Sequence, residues 1–246
     1  MINNVVKLSS CFTILGGIML SGALASGPVS AKAASPTVSG MVGGGNLTAD
    51  LAGSQLEPMY EALHGVGARL GRMNSYSWRD ANGTPTPQTL DTAMAQAWQN
   101  NVTPMVLLEY YGSYATSSSH QPVGSYSQWF QVGQAMAERF RPNGVWARAH
   151  GIKNWGVRVF SAMNEPDVEQ SIPLPAYHDA LAGLADGVHS VDTSLKVVPG
   201  GFATCNSQWD ATLRGYGPII ADLLNTGRLD GIDLHTYYHQ HWFPIE

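Results

Sequence analysis

Trp155-Gly156-Val157-Arg158-Val159-Phe160-Ser161-Ala162-Met163-Asn164-Glu165-Pro166-Asp167 is the stretch that decides the fold. Its apolar part predicts a strand from Trp155 to Ala162 that ends on an amide and an acid, and Pro166 keeps Glu165 out of helical geometry. Further apolar runs bounded by Gly, Pro and Asn predict strands at Val38 to Gly43, Gly67 to Met73, Val102 to Glu109, Leu195 to Gly200 and Gly231 to His235. Helical periodicity fills the gaps between them, which is the βαβα signature of a parallel sheet. The alternation alone fits an open doubly wound sheet or a closed barrel. The polar residues favour the barrel, because Arg69 and Arg72, Glu109, Asn164 and Glu165, and His235 with Tyr237 fall at or just past the C-terminal ends of successive strands. The expected fold is therefore an α/β chain of the (β/α)₈ TIM-barrel kind, incomplete, with about six of the eight βα units present.

Leu90, Ala93, Met94, Ala97 and Trp98 recur at helical spacing, as do Tyr177, Ala180, Leu181, Leu184, Ala185 and Val188. A third helix runs from about Ser125 to Phe140: Ser125 and Gln128 have the spacing of a capping box, and Trp129, Val132, Met136 and Phe140 form the apolar stripe. Pro87 marks the start of the Leu90 helix, and Ile219, Ile220, Leu223 and Leu224 suggest a helix before the sixth strand.

The chain has 246 residues, 44% of them hydrophobic and 13% charged, with a formal net charge of −5. That supplies one sizeable core, and the lack of a basic run argues against nucleic acid or an anionic membrane as partner. Residues 1–33 carry Lys7, an apolar stretch from Cys11 to Ala25 and small residues ending in Ala31-Lys32-Ala33, which predicts a secretory signal, cleavage and a secreted domain over 34–246 with no membrane attachment afterwards. The apolar stretch is short for a span and is broken by Gly16, Gly17 and Gly22. Removing it would leave Cys205 without a partner, read as a structural thiol. Gly43-Gly44-Gly45-Asn46 lacks the third glycine of a dinucleotide fingerprint and reads as a tight turn, so no cofactor is expected.

Glu165 is the central candidate. Its approach through Phe160, Ala162 and Met163 is apolar enough to desolvate a carboxylic acid and keep its proton available, while Asn164 offers an amide for a ligand hydroxyl. Asn164-Glu165-Pro166 at the end of a fourth barrel strand resembles the acid/base motif of the retaining glycoside hydrolases of clan A. Arg69 or Arg72 resembles the Arg that those enzymes carry near the end of the second strand, and His235-Thr236-Tyr237 resembles their sixth-strand end. Within the clan the combination is similar to the β-xylosidase and α-iduronidase family and to certain β-glucanase families.

The resemblance implies hydrolysis of β-linked oligo- or polysaccharides with Glu165 as acid/base. It also implies a nucleophilic Glu at the end of a seventh strand, which the sequence through Glu246 does not supply, so a fragment with little turnover of its own is expected. Glu109 is either a subsite residue or a hydrogen-bonded strand-end polar group. Trp78, with Tyr76, Tyr110, Tyr111 and Trp242, is a candidate sugar-stacking platform or a loop-packing residue. A metal site at His235, His239 and His241 is disfavoured, because no Glu follows His235 and the segment follows a strand. A non-catalytic carbohydrate-binding barrel is the alternative function.

Overall fold

Side chains alternate across a strand, so a parallel sheet whose outer face is packed by helices must sort its residues into an outward and an inward set. The computed structural model of the chain describes residues 47–48, 53–75, 78–80, 82–109, 124–167, 173–203 and 207–235. The strands are β1 (Leu47–Thr48), β2 (Leu70–Ser75), β3 (Thr103–Leu108), β4 (Val159–Ala162), β5 (Lys196–Pro199), β6 (Phe202–Ala203) and β7 (Leu234–His235). Interleaved with them are α1 (Gly53–Gly65), α2 (Asp91–Gln99), α3 (Tyr126–Phe140), α4 (Val145–Ala149), α5 (Leu174–Val191) and α6 (Ser207–Asn225).

β1 to β5 pair in parallel and in sequence order, and β6 pairs in parallel with β7. Only Gly200 and Gly201 separate β5 from β6, so these are two halves of one strand that bonds β4 with its first half and β7 with its second. Consecutive order without reversal is the path of a barrel; a doubly wound sheet turns back on itself midway. The described residues thus form six successive strands of a (β/α) barrel: the last five are predicted from the sequence, and β1 at Leu47–Thr48 is not. The first predicted strand, Val38 to Gly43, and the Gly43-Gly44-Gly45 turn lie outside the described residues.

The register identifies the two faces. Met73, Val106, Phe160 and Val197 lie side by side, as do Leu108 and Ala162, and all belong to the apolar core beneath the helices. The residues between them, Arg72, Asn74, Met105, Leu107 and Ser161, face inward. Strand β2 ends two residues later than the predicted Met73, which adds Asn74 and Ser75 to it. Arg69, by contrast, precedes β2 at the opposite end of the sheet, is exposed, and bonds its own neighbour through Nη1 to the Ala68 carbonyl. Its expected place near the reacting end is therefore corrected: it lies about three residues' rise below Arg72's level on the strand.

The predicted helices form largely as read. Ser125 and Gln128 make the reciprocal capping box, with the Ser125 amide donating to Gln128 Oε1 at 2.9 Å, and Trp129, Val132, Met136 and Phe140 are buried. Two apolar positions are not core: Trp98 and Leu224 are exposed at the surface, Trp98 against the edge of Trp155. Helices α3 and α5 touch backbone to backbone because glycines lie between them. A Cβ at Gly133 would sit 2.5 Å from the Leu184 carbonyl oxygen, and one at Gly187 would overlap the Phe130 carbonyl oxygen.

Gly187→Ala is expected to destabilise the fold by about 1–3 kcal/mol through overpacking, measured by urea denaturation. Gly215→Ala, in α6 with only Leu174 methyls at ordinary contact distance, should instead stabilise by up to about 1 kcal/mol through helix propensity.

Candidate functional site

The site is built on a reversal of the backbone at the end of β4. Plain alternation after Ala162, which faces the helices, would turn Met163 inward and Asn164 outward. Met163 has φ +66°, a left-handed conformation that costs a side-chain-bearing residue roughly 1–2 kcal/mol. The reversal exchanges the two positions: Met163 is fully buried in the apolar core, and Asn164 reaches across the inner face to Arg72. Glu165 is also left-handed, at φ +44°, although a following proline such as Pro166 favours extended geometry at this position. Two strained non-glycine residues flanking one amide mark a segment held by its surroundings.

Those surroundings are specific. The Met163 amide donates to the Leu108 carbonyl at 3.0 Å and the Glu165 amide to the Gly201 carbonyl at 2.9 Å, so the turn is clamped by β3 on one side and by the β5–β6 break on the other. Gly200 leaves room for the turn, because a Cβ there would overlap the Met163 carbonyl. From α6, the Tyr216 hydroxyl donates to the Pro166 carbonyl at 3.1 Å.

Arg72 Nη2 donates to Asn164 Oδ1 at 2.6 Å in a buried bond. A guanidinium only donates, so it holds the amide oxygen and leaves the donor Nδ2 as the other end of the Asn164 amide. One level up β2, Asn74 Nδ2 donates to Glu109 Oε1 at 2.9 Å, and the Glu109 amide donates to the Ser75 carbonyl at 3.0 Å. Glu109 is 2% exposed and Asn74 0%; Asn74 Oδ1 has no hydrogen-bond partner among the described residues. Asp233, the inward residue two positions before His235, is likewise buried with both carboxylate oxygens unpartnered among them.

Glu165 Oε1 lies 2.7 Å from His235 Nδ1. Both side chains are mostly covered, at 15% exposure for the acid and 6% for the imidazole. One proton fits between them, donated by Nδ1–H to a carboxylate or by a carboxylic acid to Nδ1. The arrangement can therefore hold a proton at a defined place on the rim of the strands' C-terminal ends.

Of the residues predicted from sequence, Arg72, Asn164, Glu109, Glu165 and His235 all fall at this end of the sheet, four of them in two hydrogen-bonded pairs and Glu109 bonded to Asn74. Arg69 does not join them. Trp78 is corrected as a sugar platform: it is 0% exposed, packs on Trp129 with 4.6 Å between ring centroids, carries the Arg79 guanidinium over its ring, and donates Nε1 to the Glu109 carbonyl at 2.7 Å. It supports Glu109 from below. Tyr237, and with it Tyr76, Tyr110, Tyr111, Trp242, His239, His241 and Cys205, lies outside the described residues. Among the described residues no group of three His, Cys, Asp or Glu is placed to hold a metal ion.

Sequence reasoning missed Asn74, the glycine pair and the cluster under the turn. In that cluster Tyr177 and Tyr216 meet edge to face with 4.7 Å between centroids. Burial, then Tyr216 and the Asp167 carboxylate, push the Tyr177 phenol well above its ordinary range; burial and then Asp167 raise Tyr216.

No family model matches the chain, and no curated protein matches it. Solved structures that it resembles include a glucosidase from Croceicoccus marinus, at 16% identity and TM-score 0.48, covering 64% of this chain and 36% of that one. A Thermomonospora fusca β-mannanase in complex with mannohexaose follows at 13% identity and TM-score 0.47, covering 78% of this chain and 59% of that one. Rhizobium etli pyruvate carboxylase is similar at 10% identity and TM-score 0.41 over 76% of this chain and 14% of that one. The chain thus spans less than two thirds of each of these structures.

Asn74→Asp would set a second carboxylate against Glu109. Its thermal midpoint should fall well below that of the native protein at pH 7, with the gap narrowing toward pH 4 as one carboxyl takes up a proton. Tyr177 has a raised folded pKa, so the stability that comes from keeping it neutral is fully present below the unfolded phenol value of about 10 and is lost as pH rises above it. Its hydroxyl has no partner among the described residues, so Tyr177→Phe should leave stability at pH 7 unchanged or higher and move alkaline unfolding, followed by circular dichroism, to higher pH.

Proposed function

We propose that this protein is a secreted glycoside hydrolase that cleaves O-glycosidic bonds in a β-linked oligo- or polysaccharide with retention of configuration, and that Glu165 is its acid/base. The observation that carries the proposal is the Glu165–His235 pair at 2.7 Å, set at the C-terminal end of the strands beside an Asn164 whose donor nitrogen is free to meet a sugar hydroxyl.

The mechanism is a double displacement. In the first step a carboxylate attacks the anomeric carbon from one face of the ring while Glu165, carrying the proton that it otherwise shares with His235, protonates the departing oxygen. The glycosyl ester is then hydrolysed by water, with Glu165 taking the water's proton, and two inversions restore the original configuration. The nucleophile is proposed to be a second Glu about 5 Å from Glu165, at the end of the strand that follows β7 in the barrel.

Asn164 Nδ2 is proposed to hold the hydroxyl next to the reacting carbon, a bond that strengthens as positive charge develops there. Arg72 fixes the amide in the orientation that this needs. Glu109, with one oxygen held by Asn74, is proposed to line the sugar subsite, and Tyr237 to contact the substrate. No step calls for a metal or a cofactor. Export rests on the composition of residues 1–33; no helix among the described residues is long and apolar enough to cross a membrane.

In the full-length protein, Glu165→Gln should lower kcat/KM by about 10²–10⁴-fold on a β-glycoside with a poor leaving group, and by less than about tenfold on the matching dinitrophenyl glycoside, whose departure needs no proton. Near-native rates on both substrates would leave a carbohydrate-binding barrel as the better account.

A further inference from the structure

The His235 imidazole does more than meet Glu165: it packs directly against Gly201 at the break between β5 and β6. A Cβ built at Gly201 would fall well inside van der Waals contact with Nε2, Cδ2 and Cε1 of the ring. The same Gly201 accepts the Glu165 amide through its carbonyl at 2.9 Å. One residue therefore touches both members of the pair, the acid through the main chain and the base through an absent side chain. Gly201 has no positive φ to explain the glycine, and its neighbours in β6 pair regularly with β7, Phe202 opposite Leu234 and Ala203 opposite His235. Backbone conformation does not require glycine here; the ring does.

The neighbouring glycine is of a different kind. A Cβ at Gly200 would overlap the main-chain carbonyl of Met163, so that glycine serves the fold of the turn. At Gly201 the obstacle is the end of a side chain, which moves when pressed. A methyl group there has one cheap way out, rotation of the imidazole away from the strand and off Glu165 Oε1.

We propose that Gly201 is a positioning residue for acid/base chemistry: the missing side chain is the seat of the His235 ring, and it fixes Nδ1 at hydrogen-bond distance from Glu165. The inference rests on the assignment of Glu165 as acid/base. Gly201 touches no substrate, and its role runs through His235 alone.

The test is a double-mutant cycle in the full-length protein, with Gly201→Ala, His235→Ala and the double variant. In the native background Gly201→Ala should lower kcat more than tenfold with KM changed less than about threefold, should alter the pH profile of kcat in the same sense as His235→Ala, and should abolish the downfield imidazole N–H proton resonance that His235→Ala removes. In the His235→Ala background the same methyl group meets no ring, and its further effect on kcat should be under about twofold. If Gly201→Ala alone fails to fold, recovery of a folded protein in the double variant supports the seat, and failure of both to fold overturns it. Equal losses from Gly201→Ala in the two backgrounds, or an unchanged His235 resonance with reduced kcat, also overturn it. Failure of the Glu165 assignment is seen separately, as native activity in Glu165→Gln; the His235 resonance still reports on the seat in that case.

Discussion

The site depends on one constraint, the left-handed turn of the main chain at Met163. A strand that ran straight through this point would place the amide of Asn164 among the helices and a methionine in the barrel. Instead the reversal buries the apolar side chain and delivers Asn164 and Glu165 to the inner rim. The unfavourable conformation is offset by what it permits: burial of a whole methionine, worth about 1.5–3 kcal/mol, and two main-chain hydrogen bonds to β3 and to Gly201. Gly200 and Gly201 are the complement of that turn, one yielding space to a carbonyl and the other to a ring.

The polar groups of the inner face are arranged so that each fixes the next. Arg72 sets the orientation of Asn164, and Asn74 holds one oxygen of Glu109 while Trp78 holds its main-chain carbonyl. Trp129 supports Trp78 from α3, whose close approach to α5 in turn requires glycines at the helix crossing. A packing fault in the helical layer would thus reach Glu109 through two indole rings. The clamp from Tyr216 to the Pro166 carbonyl gives α6 a comparable hold on the acid-bearing turn.

Much of this was legible in the chain. The strand and helix alternation, the capping box at Ser125, the apolar stripe of α5 and the position of Glu165 at a strand end follow from periodicity and from proline chemistry. Other features depend on register, which sequence leaves open. Arg69 and Arg72 are three apart, and a period of two puts them on opposite faces, but choosing between them requires knowing that β2 runs on to Ser75. The polar Asn74 and Ser75 look like a strand ending, and only their pairing with Leu107 and Leu108 makes them strand. Trp78 looks like an aromatic leaving a strand; its burial comes from the following segment folding back, with Arg79 opposite Pro85 and the Thr86 amide on the Trp78 carbonyl. The glycine pair after Pro199 carries no periodic signal, and its meaning lies in the turn from β4 that presses against it.

The account comes down to a proton held at Glu165, and azide rescue of the Glu165→Ala variant measures it most directly. With that side chain gone and an activated β-glycoside as substrate, azide should enter the vacated space, accelerate turnover of the trapped glycosyl ester and give the β-glycosyl azide. Absence of any acceleration in a variant that still binds the sugar, or formation of the α-azide, would contradict the assignment.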